Sequence, residues 1–164
     1  MSGRRLERLG PNHQLGGFQS GNESLDRWAQ VHALASQQMD VARTFVLVDG
    51  ERVLGYFSLT MGSVHRAEAA PVLVRGLLGY PVGMVLLARL AVDARVQGQS
   101  LGVLLLAEAL RKAVAAGEAA AARLIVVDAI NEAAARFYLH HGFVFVPEHP
   151  LRLYRRMKDI PASQ

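Results

Sequence analysis

Eight residues, RVQGQSLG from Arg95 to Gly102, have the types and spacing best suited to binding chemistry. They stand between an apolar run, Met84 to Asp93, and an alanine- and leucine-rich stretch, Val103 to Gly117. A strand that becomes a helix through glycines leaves backbone N–H groups unpaired and facing outward. Together with the positive end of the helix dipole, those donors form an anion site. The same residues also suit an ordinary turn, and taken alone they leave both readings open. Two familiar phosphate motifs are excluded. A nucleotide-hydrolase loop needs Gly-Lys-Ser/Thr at its end, and here Val103 follows Gly102. The dinucleotide fingerprint Gly-x-Gly-x-x-Gly is broken by Gly98-Gln99-Ser100.

Other chemistries are poorly supplied. Cysteine is absent, which removes disulfides, thiolate metal sites and a covalent cysteine intermediate. His140, His141 and His149 lack zinc spacing, and no thiol or carboxylate completes a set, so no metal is expected. No carboxylate stands out as a general base. Glu108 falls on a polar helix face with Arg111 and Lys112, and Glu132 falls in the first turn of a short helix.

The elements that must position the glycine stretch follow from periodicity and punctuation. Arg4 to Leu9 reads as a first strand, ended by Gly10-Pro11. Ser20 to Met39 reads as one helix, with Ser20 and Glu23 at capping-box spacing. Leu25, Trp28, Ala35 and Met39 share its apolar face, and Asp26, Arg27, Gln30, Gln37 and Gln38 its polar face. Thr44–Val48 and Val53–Leu59 form a hairpin around Asp49-Gly50. Arg66 to Gly83 is loop-like, and Met84 to Val92 is an apolar strand. The helix after the glycine stretch is expected to end at Gly117. Arg123–Asp128 is a strand and Asn131–His140 a helix ended near Gly142. Phe143–Val146 and Leu151–Met157 close the chain as a strand pair. This order predicts a mixed α/β (α+β) domain with a central, mostly antiparallel sheet flanked by helices. One domain is expected over residues 1–160, with 161–164 as a frayed tail.

The totals agree with a folded protein. The chain has 164 residues, 51% hydrophobic and 20% charged, enough for a substantial core. No window approaches the roughly 18 to 20 apolar residues of a membrane helix. MSGRRLERLG has no apolar segment behind its basic residues, so no secretory signal is expected and the location expected is cytoplasmic. The net charge of +4 suits polyanionic partners such as nucleic acid or a phosphorylated cofactor.

A longer pattern sharpens this picture. RxxGxS, then LG, a long helix, a strand ending in VVDAIN, and a helix carrying FY before HGF resembles the acetyltransferases of the GNAT superfamily. Their pyrophosphate loop reads Gln/Arg-x-x-Gly-x-Gly/Ala. Arg95 and Gly98 match it, and Ser100 departs from it at the last small position. If that position needs positive φ, serine costs on the order of 1 kcal/mol against glycine. GFQSGNESLDRWA, RTFVLVDGERVLGYFSLT, LARLAVDARVQGQSLG and VVDAINEAAARFYLHHGF together resemble one branch. That branch is the GNAT toxins of type II toxin–antitoxin pairs, and the likeness covers roughly residues 15 to 157.

The resemblance implies the GNAT fold, acetyl-CoA as cofactor, and transfer to the α-amino group of an aminoacyl-tRNA by direct attack in a ternary complex. It implies that the backbone of Leu90, Ala91 and Val92 pairs with the pantetheine. The N–H groups of Gln97, Gly98, Gln99, Ser100, Leu101 and Gly102, next to Arg95, would hold the pyrophosphate. Tyr138 would donate a proton to the leaving sulfur; its plainer role is an aromatic packed beside Phe137. Asn131 would touch the cofactor backbone, or simply cap its helix. A tRNA acceptor needs phosphate contacts, for which Arg75, Arg89, Arg152 and Arg155 are the chosen candidates. Arg4, Arg5, Arg8, Arg156 and Lys158 add to the basic footprint. The implied partners are charged tRNA, a small DNA-binding antitoxin and a second copy in a homodimer, with no membrane. Two alternatives remain at this stage: an acetyltransferase of another protein or small-molecule amine, and a non-catalytic module binding CoA or RNA.

Overall fold

The computed structural model describes residues 3–64 and 82–161. Its strands are β1 (Arg4–Arg8), β2 (Arg43–Asp49), β3 (Arg52–Val64), β4 (Val82–Val92), β5 (Leu124–Asp128), β6 (Val144–Val146) and β7 (His149–Arg156). The helices among the described residues are α1 (Glu23–Arg27), α2 (Ala33–Gln38), α3 (Leu101–Ala120) and α4 (Glu132–His140). The strands form one sheet in the order β1-β2-β3-β4-β5-β7-β6. β1–β2, β2–β3, β5–β7 and β6–β7 are antiparallel, whereas β4 and β5 are parallel. The mixed, mostly antiparallel sheet expected from the sequence is the sheet observed.

The chain divides into two compact units, each discontinuous in sequence. The first comprises residues 1–60 and 88–109. Its core joins Leu25, Ala29 and Ala33 to Val46, Val48, Tyr56 and Ala91. The β2–β3 hairpin turns at Gly50, whose φ of 65° suits a residue without Cβ, and Asp49 faces Arg52 across it. Gly55 sits where β3 crosses close to its neighbours. A Cβ there would lie 2.7 Å from Leu105 Cδ1 and 2.9 Å from the Ala91 carbonyl oxygen.

The N-terminal helix departs from its expected form in three ways. The cap is Asn22, not Ser20: its side chain accepts from Leu25 N at 3.0 Å, after Gly21 turns the chain at φ 96°. Ser20 instead donates its hydroxyl to Asp26 Oδ1 at 2.6 Å. The helix is not continuous, because Trp28–His32 is a π-helical turn between α1 and α2. Its buried residues are Leu25, Ala29, Ala33 and Gln37, each four apart, while Ala35 is exposed and Met39 is 72% exposed. At 3.6 residues per turn a four-residue spacing drifts around the helix, and the wider π turn takes up that drift. Gln37 therefore lies inside rather than on the polar face. Its amide donates to the Leu9 carbonyl at 3.0 Å and accepts from Thr44 N at 2.9 Å, satisfying both chain segments.

The second unit comprises residues 61–87 and 110–164. β4 begins at Val82, so Val82 and Gly83 belong to a strand and not to the expected loop. Gly83 sits against the end of α3, where a Cβ would lie 3.0 Å from the Ala121 carbonyl oxygen. Gly117 does not end α3. The helix runs on to Ala120, and Ala121 takes the left-handed conformation at φ 61°. The glycine is needed for close approach instead, since a Cβ would lie 3.2 Å from both Ala122 O and Met157 Cε. Met157 opens a short 3-10 turn rather than ending β7, which starts at His149, two residues before the expected start. No helix among the described residues is long and apolar enough to cross a membrane.

Candidate active site

The strand–helix junction is built in the first unit. β4 ends at Val92, a 3-10 turn spans Ala94–Val96, and α3 starts at Leu101. Asp93 is fully buried and organises the turn. Its Oδ1 accepts from Arg95 N at 2.9 Å and Arg95 Nε at 2.8 Å. Its Oδ2 accepts from Arg95 Nη2 at 2.9 Å and Gln19 N at 3.3 Å. The Arg95 guanidinium holds the Asp93 carboxyl well below the usual carboxylate range. The same bond raises the pKa of Arg95. Ala94 N donates to Gln19 O at 2.7 Å, and Asp93 N to Leu54 O at 2.8 Å. Gln97 Nε2 donates to both Ser20 O (2.7 Å) and Val92 O (2.9 Å). The loop is thus moored to the segment before α1 as well as to β4.

Past that mooring the backbone changes hand. Gly98 has φ 86° and Ser100 φ 61°. The condition set for Ser100 by its sequence position is met, at a conformational cost of about 1 kcal/mol. Among the described residues, the N–H groups from Gly98 to Val103 have no protein acceptor; the first helical bond outside them is Leu104 N to Ser100 O at 3.2 Å. Six consecutive backbone donors and a helix N-terminus therefore converge on one stretch of chain. No atom lies within 4 Å of a Cβ built on Gly98, so the stretch is open to a ligand. A diphosphate fits this donor set, because its oxygens accept and its charge opposes the helix dipole.

Leu90, Ala91 and Val92, expected to pair with the pantetheine, are the last residues of β4. The parallel ladder with β5 runs from Met84↔Leu124 to Leu87↔Val127, while β4 continues to Val92. Leu90, Ala91 and Val92 thus extend the strand past its ladder with β5. Arg89 and Ala91 share a face, as alternation requires. Ala91 joins the core cluster, and the Arg89 guanidinium stacks 4.0 Å from the centroid of Trp28, which packs on that cluster. Burial lowers the pKa of Arg89. Trp28 in turn stacks on Tyr56, whose hydroxyl donates to Leu25 O at 2.7 Å.

In the second unit, Tyr138 lies on α4 and is 5% exposed. Its ring packs edge-on against Phe137 and Phe143. Burial pushes the pKa of its hydroxyl up. That hydroxyl has no hydrogen-bond partner among the described residues, yet no fully buried side-chain oxygen or nitrogen there is left unpaired. The Tyr138 oxygen therefore keeps a small accessible area while its ring is held inside. Asn131 caps α4, its side chain accepting from Ala134 N at 2.8 Å. Arg152 makes a two-pronged bond to Asp128 at 2.7 and 2.9 Å. Arg155 donates to His141 O at 3.3 Å and Asp159 O at 3.2 Å. Arg75 lies outside the described residues.

The profile of the acetyltransferase (GNAT) family matches residues 16–143. The chain belongs to the GNAT acetyltransferase family. It is an acyltransferase. A tRNA-acetylating toxin of Mycobacterium tuberculosis strain H37Rv is 41% identical over 145 residues, covering 88% of this chain and 87% of the relative. AtaT complexed with acetyl-methionyl-tRNAfMet superposes with a TM-score of 0.86 at 27% identity, covering 94% of this chain and 95% of AtaT. A tyrosine-to-phenylalanine variant of AtaT, bound to the C-terminus of the antitoxin AtaR and acetyl-CoA, gives 0.82 at 28%, covering 96% and 95%.

Several residues of this GNAT site escape a sequence reading. Asp93 is the buried clamp of the loop, and its only sequence signal is an acid two places before Arg95 at the end of an apolar run. Gln19 and Ser20 moor the loop through backbone atoms, which leave no signature in side-chain type. Arg4, 95 positions before Gln99, donates from Nη2 to Gln99 Oε1 at 2.9 Å. The side chain of Arg95 is committed to Asp93, so its part in the GNAT loop is to hold the turn.

Proposed function

We propose that this chain uses acetyl-CoA to acetylate the α-amino group of an aminoacyl-tRNA and so blocks translation, under the control of a small DNA-binding antitoxin. One observation carries the coenzyme half: six unpaired backbone donors from Gly98 to Val103 at the start of α3. The likeness to the M. tuberculosis toxin along 88% of the chain supports the tRNA half. Acetyl-CoA supplies an acyl group activated as a thioester. The N–H groups of Gln97 to Gly102 bind the pyrophosphate, and the backbone of Leu90, Ala91 and Val92 orients the pantetheine. The amide of Asn131 adds a polar contact while it caps α4.

Tyr138 holds a proton at its hydroxyl for the departing sulfur. Burial keeps that phenol neutral well above neutral pH, which is the state an acid must be in. The chain needs no strong base. A free α-amine has a reference pKa near 8, against about 10.4 for lysine, and esterification to tRNA lowers it further. Arg75, Arg89, Arg152 and Arg155 are the proposed phosphate contacts. Arg89 keeps one face of its guanidinium on Trp28 and has its edge N–H groups for an anion. We further propose a cytoplasmic location, a homodimer, and residues 1–160 acting as one domain, since both compact units share β4 and α3.

The test offers labelled acetyl-CoA to a mixture of charged tRNAs, uncharged tRNAs and lysine peptides. Label is expected on charged tRNA alone, and expression in bacteria should arrest growth unless Tyr138→Phe is introduced. Label on lysine peptides but not on charged tRNA would overturn the substrate, and coenzyme bound without turnover on any amine would overturn the enzyme.

A further inference from the structure

The second unit has a cleft where α3 ends, β5 begins and β7 ends. It encloses about 350 Å³ and is lined by Ala121, Ala122, Arg123, Arg156, Met157 and Lys158. Its floor is a fixed chain reversal. Ala121 turns at φ 61°, Ala122 N donates to Gly117 O at 3.0 Å, Arg123 N to Gly83 O at 2.8 Å, and Met157 N to Arg123 O at 2.9 Å. With those N–H groups bonded inside the chain, the cleft meets a ligand chiefly through cationic side chains. Arg156 is held by Asp159, Nε to Oδ2 at 2.8 Å. Among the described residues, the side chains of Arg123 and Lys158 make no ion pair or hydrogen bond. Both residues are exposed.

The lining also limits the ligand. Among the described residues no aromatic or acidic side chain lines the cleft, so it has no platform to stack a base and no partner for an amine. An extended peptide would need main-chain hydrogen bonds that the occupied amides do not give. A phosphodiester needs only charge and donors, which Arg123 supplies as a fork and Lys158 as a point charge.

We propose that this cleft anchors a backbone phosphate of the tRNA substrate, with Arg123 and Lys158 as the contacting residues and Arg156, fixed by Asp159, as its wall. The inference rests on the tRNA reading above and adds to it a sequence-independent anchor. The cleft stands at the opposite end of β5 from Asn131, so losing the anchor should weaken capture of tRNA and spare the transfer step.

Steady-state acetylation of charged tRNA and binding of uncharged tRNA test it on the full chain. The proteins compared are the wild type, Arg123→Ala, Lys158→Ala, the double variant and, as a control for net charge, Arg52→Ala at an exposed position of the first unit. Each single variant should raise KM for charged tRNA about threefold and the double variant about tenfold, with kcat and KM for acetyl-CoA within about twofold of wild type. The slope of log affinity for uncharged tRNA against log salt should fall by about one or more in the double variant and hold in Arg52→Ala. Equal KM and equal slope in wild type and double variant, or the same loss in Arg52→Ala, refute the cleft alone. A double variant that loses affinity for a duplex DNA while its KM for charged tRNA is unchanged assigns the cleft to DNA and overturns the tRNA anchor. If the wild type acetylates no charged tRNA, the tRNA reading itself fails and the anchor falls with it.

Discussion

Replacing Asp93 with asparagine keeps the shape of the clamp and removes its charge. With the Asn oxygen at the Oδ1 position, the bonds to Arg95 N and Nε survive. The new –NH2 then faces two donors, Arg95 Nη2 at 2.9 Å and Gln19 N at 3.3 Å. Arg95 is 56% exposed, so water replaces its lost bond and it adds little. The backbone N–H of Gln19 points at the fully buried Asp93 side chain, where the new –NH2 faces it. Losing its acceptor and meeting a donor instead costs about 1.5 kcal/mol. For a chain of this size that lowers Tm by roughly 3–6 °C. Circular dichroism melts should show this drop at pH 7, and calorimetry should show weaker CoA binding because the loop entry is loosened. The pH dependence has a definite sign. Asp93 has a depressed folded pKa, so its contribution is fully present above the unfolded value of about 4 and fades as pH falls through the folded one. The gap between wild type and variant should therefore narrow below about pH 4. Equal melting and equal CoA affinity at pH 7 would refute the clamp.

Four further outcomes are expected. Tyr138→Phe keeps the packing on Phe137 and Phe143, so Tm should move by less than about 2 °C, while the transfer rate falls on the order of 100-fold or more in a labelled-acetyl assay. Because burial raises the pKa of Tyr138, kcat/KM of the wild type should rise as the acceptor amine deprotonates and show no falling limb below about pH 10. Gly55→Ala places a methyl 2.9 Å from the rigid Ala91 carbonyl, and should cost about 1–3 kcal/mol by denaturant titration. Gln37→Ala strands the Leu9 carbonyl and Thr44 N–H, and should lower stability by about 2 kcal/mol in the same titration.

Much of the frame was legible because it is written in local chemistry. Asp49-Gly50 between two β-branched runs specifies a hairpin, and the hairpin is there. Gly98 and Ser100 sit where a strand must become a helix, and both have positive φ. The misreadings share a cause: tertiary contacts decided them. Gly117 looks like a helix stop, but it is small because Ala122 and Met157 pass close by. Gln37 looks like a surface residue, but two backbone groups inside the first unit need an amide. The interruption at Trp28–His32 follows from keeping a four-residue stripe on one face, which composition does not reveal. Tyr138 could be chosen by resemblance, whereas its buried ring, packed on Phe137 and Phe143, had to be seen.

Trp28 is the chain's sole tryptophan, and a guanidinium lies 4.0 Å over its ring while Tyr56 stacks on it with centroids 6.1 Å apart. Its emission therefore watches a single arginine without any label being attached. A polyanion that pulled Arg89 off the indole would change the intensity and wavelength of that light, so capture of a nucleic acid could be followed in real time in a fluorimeter.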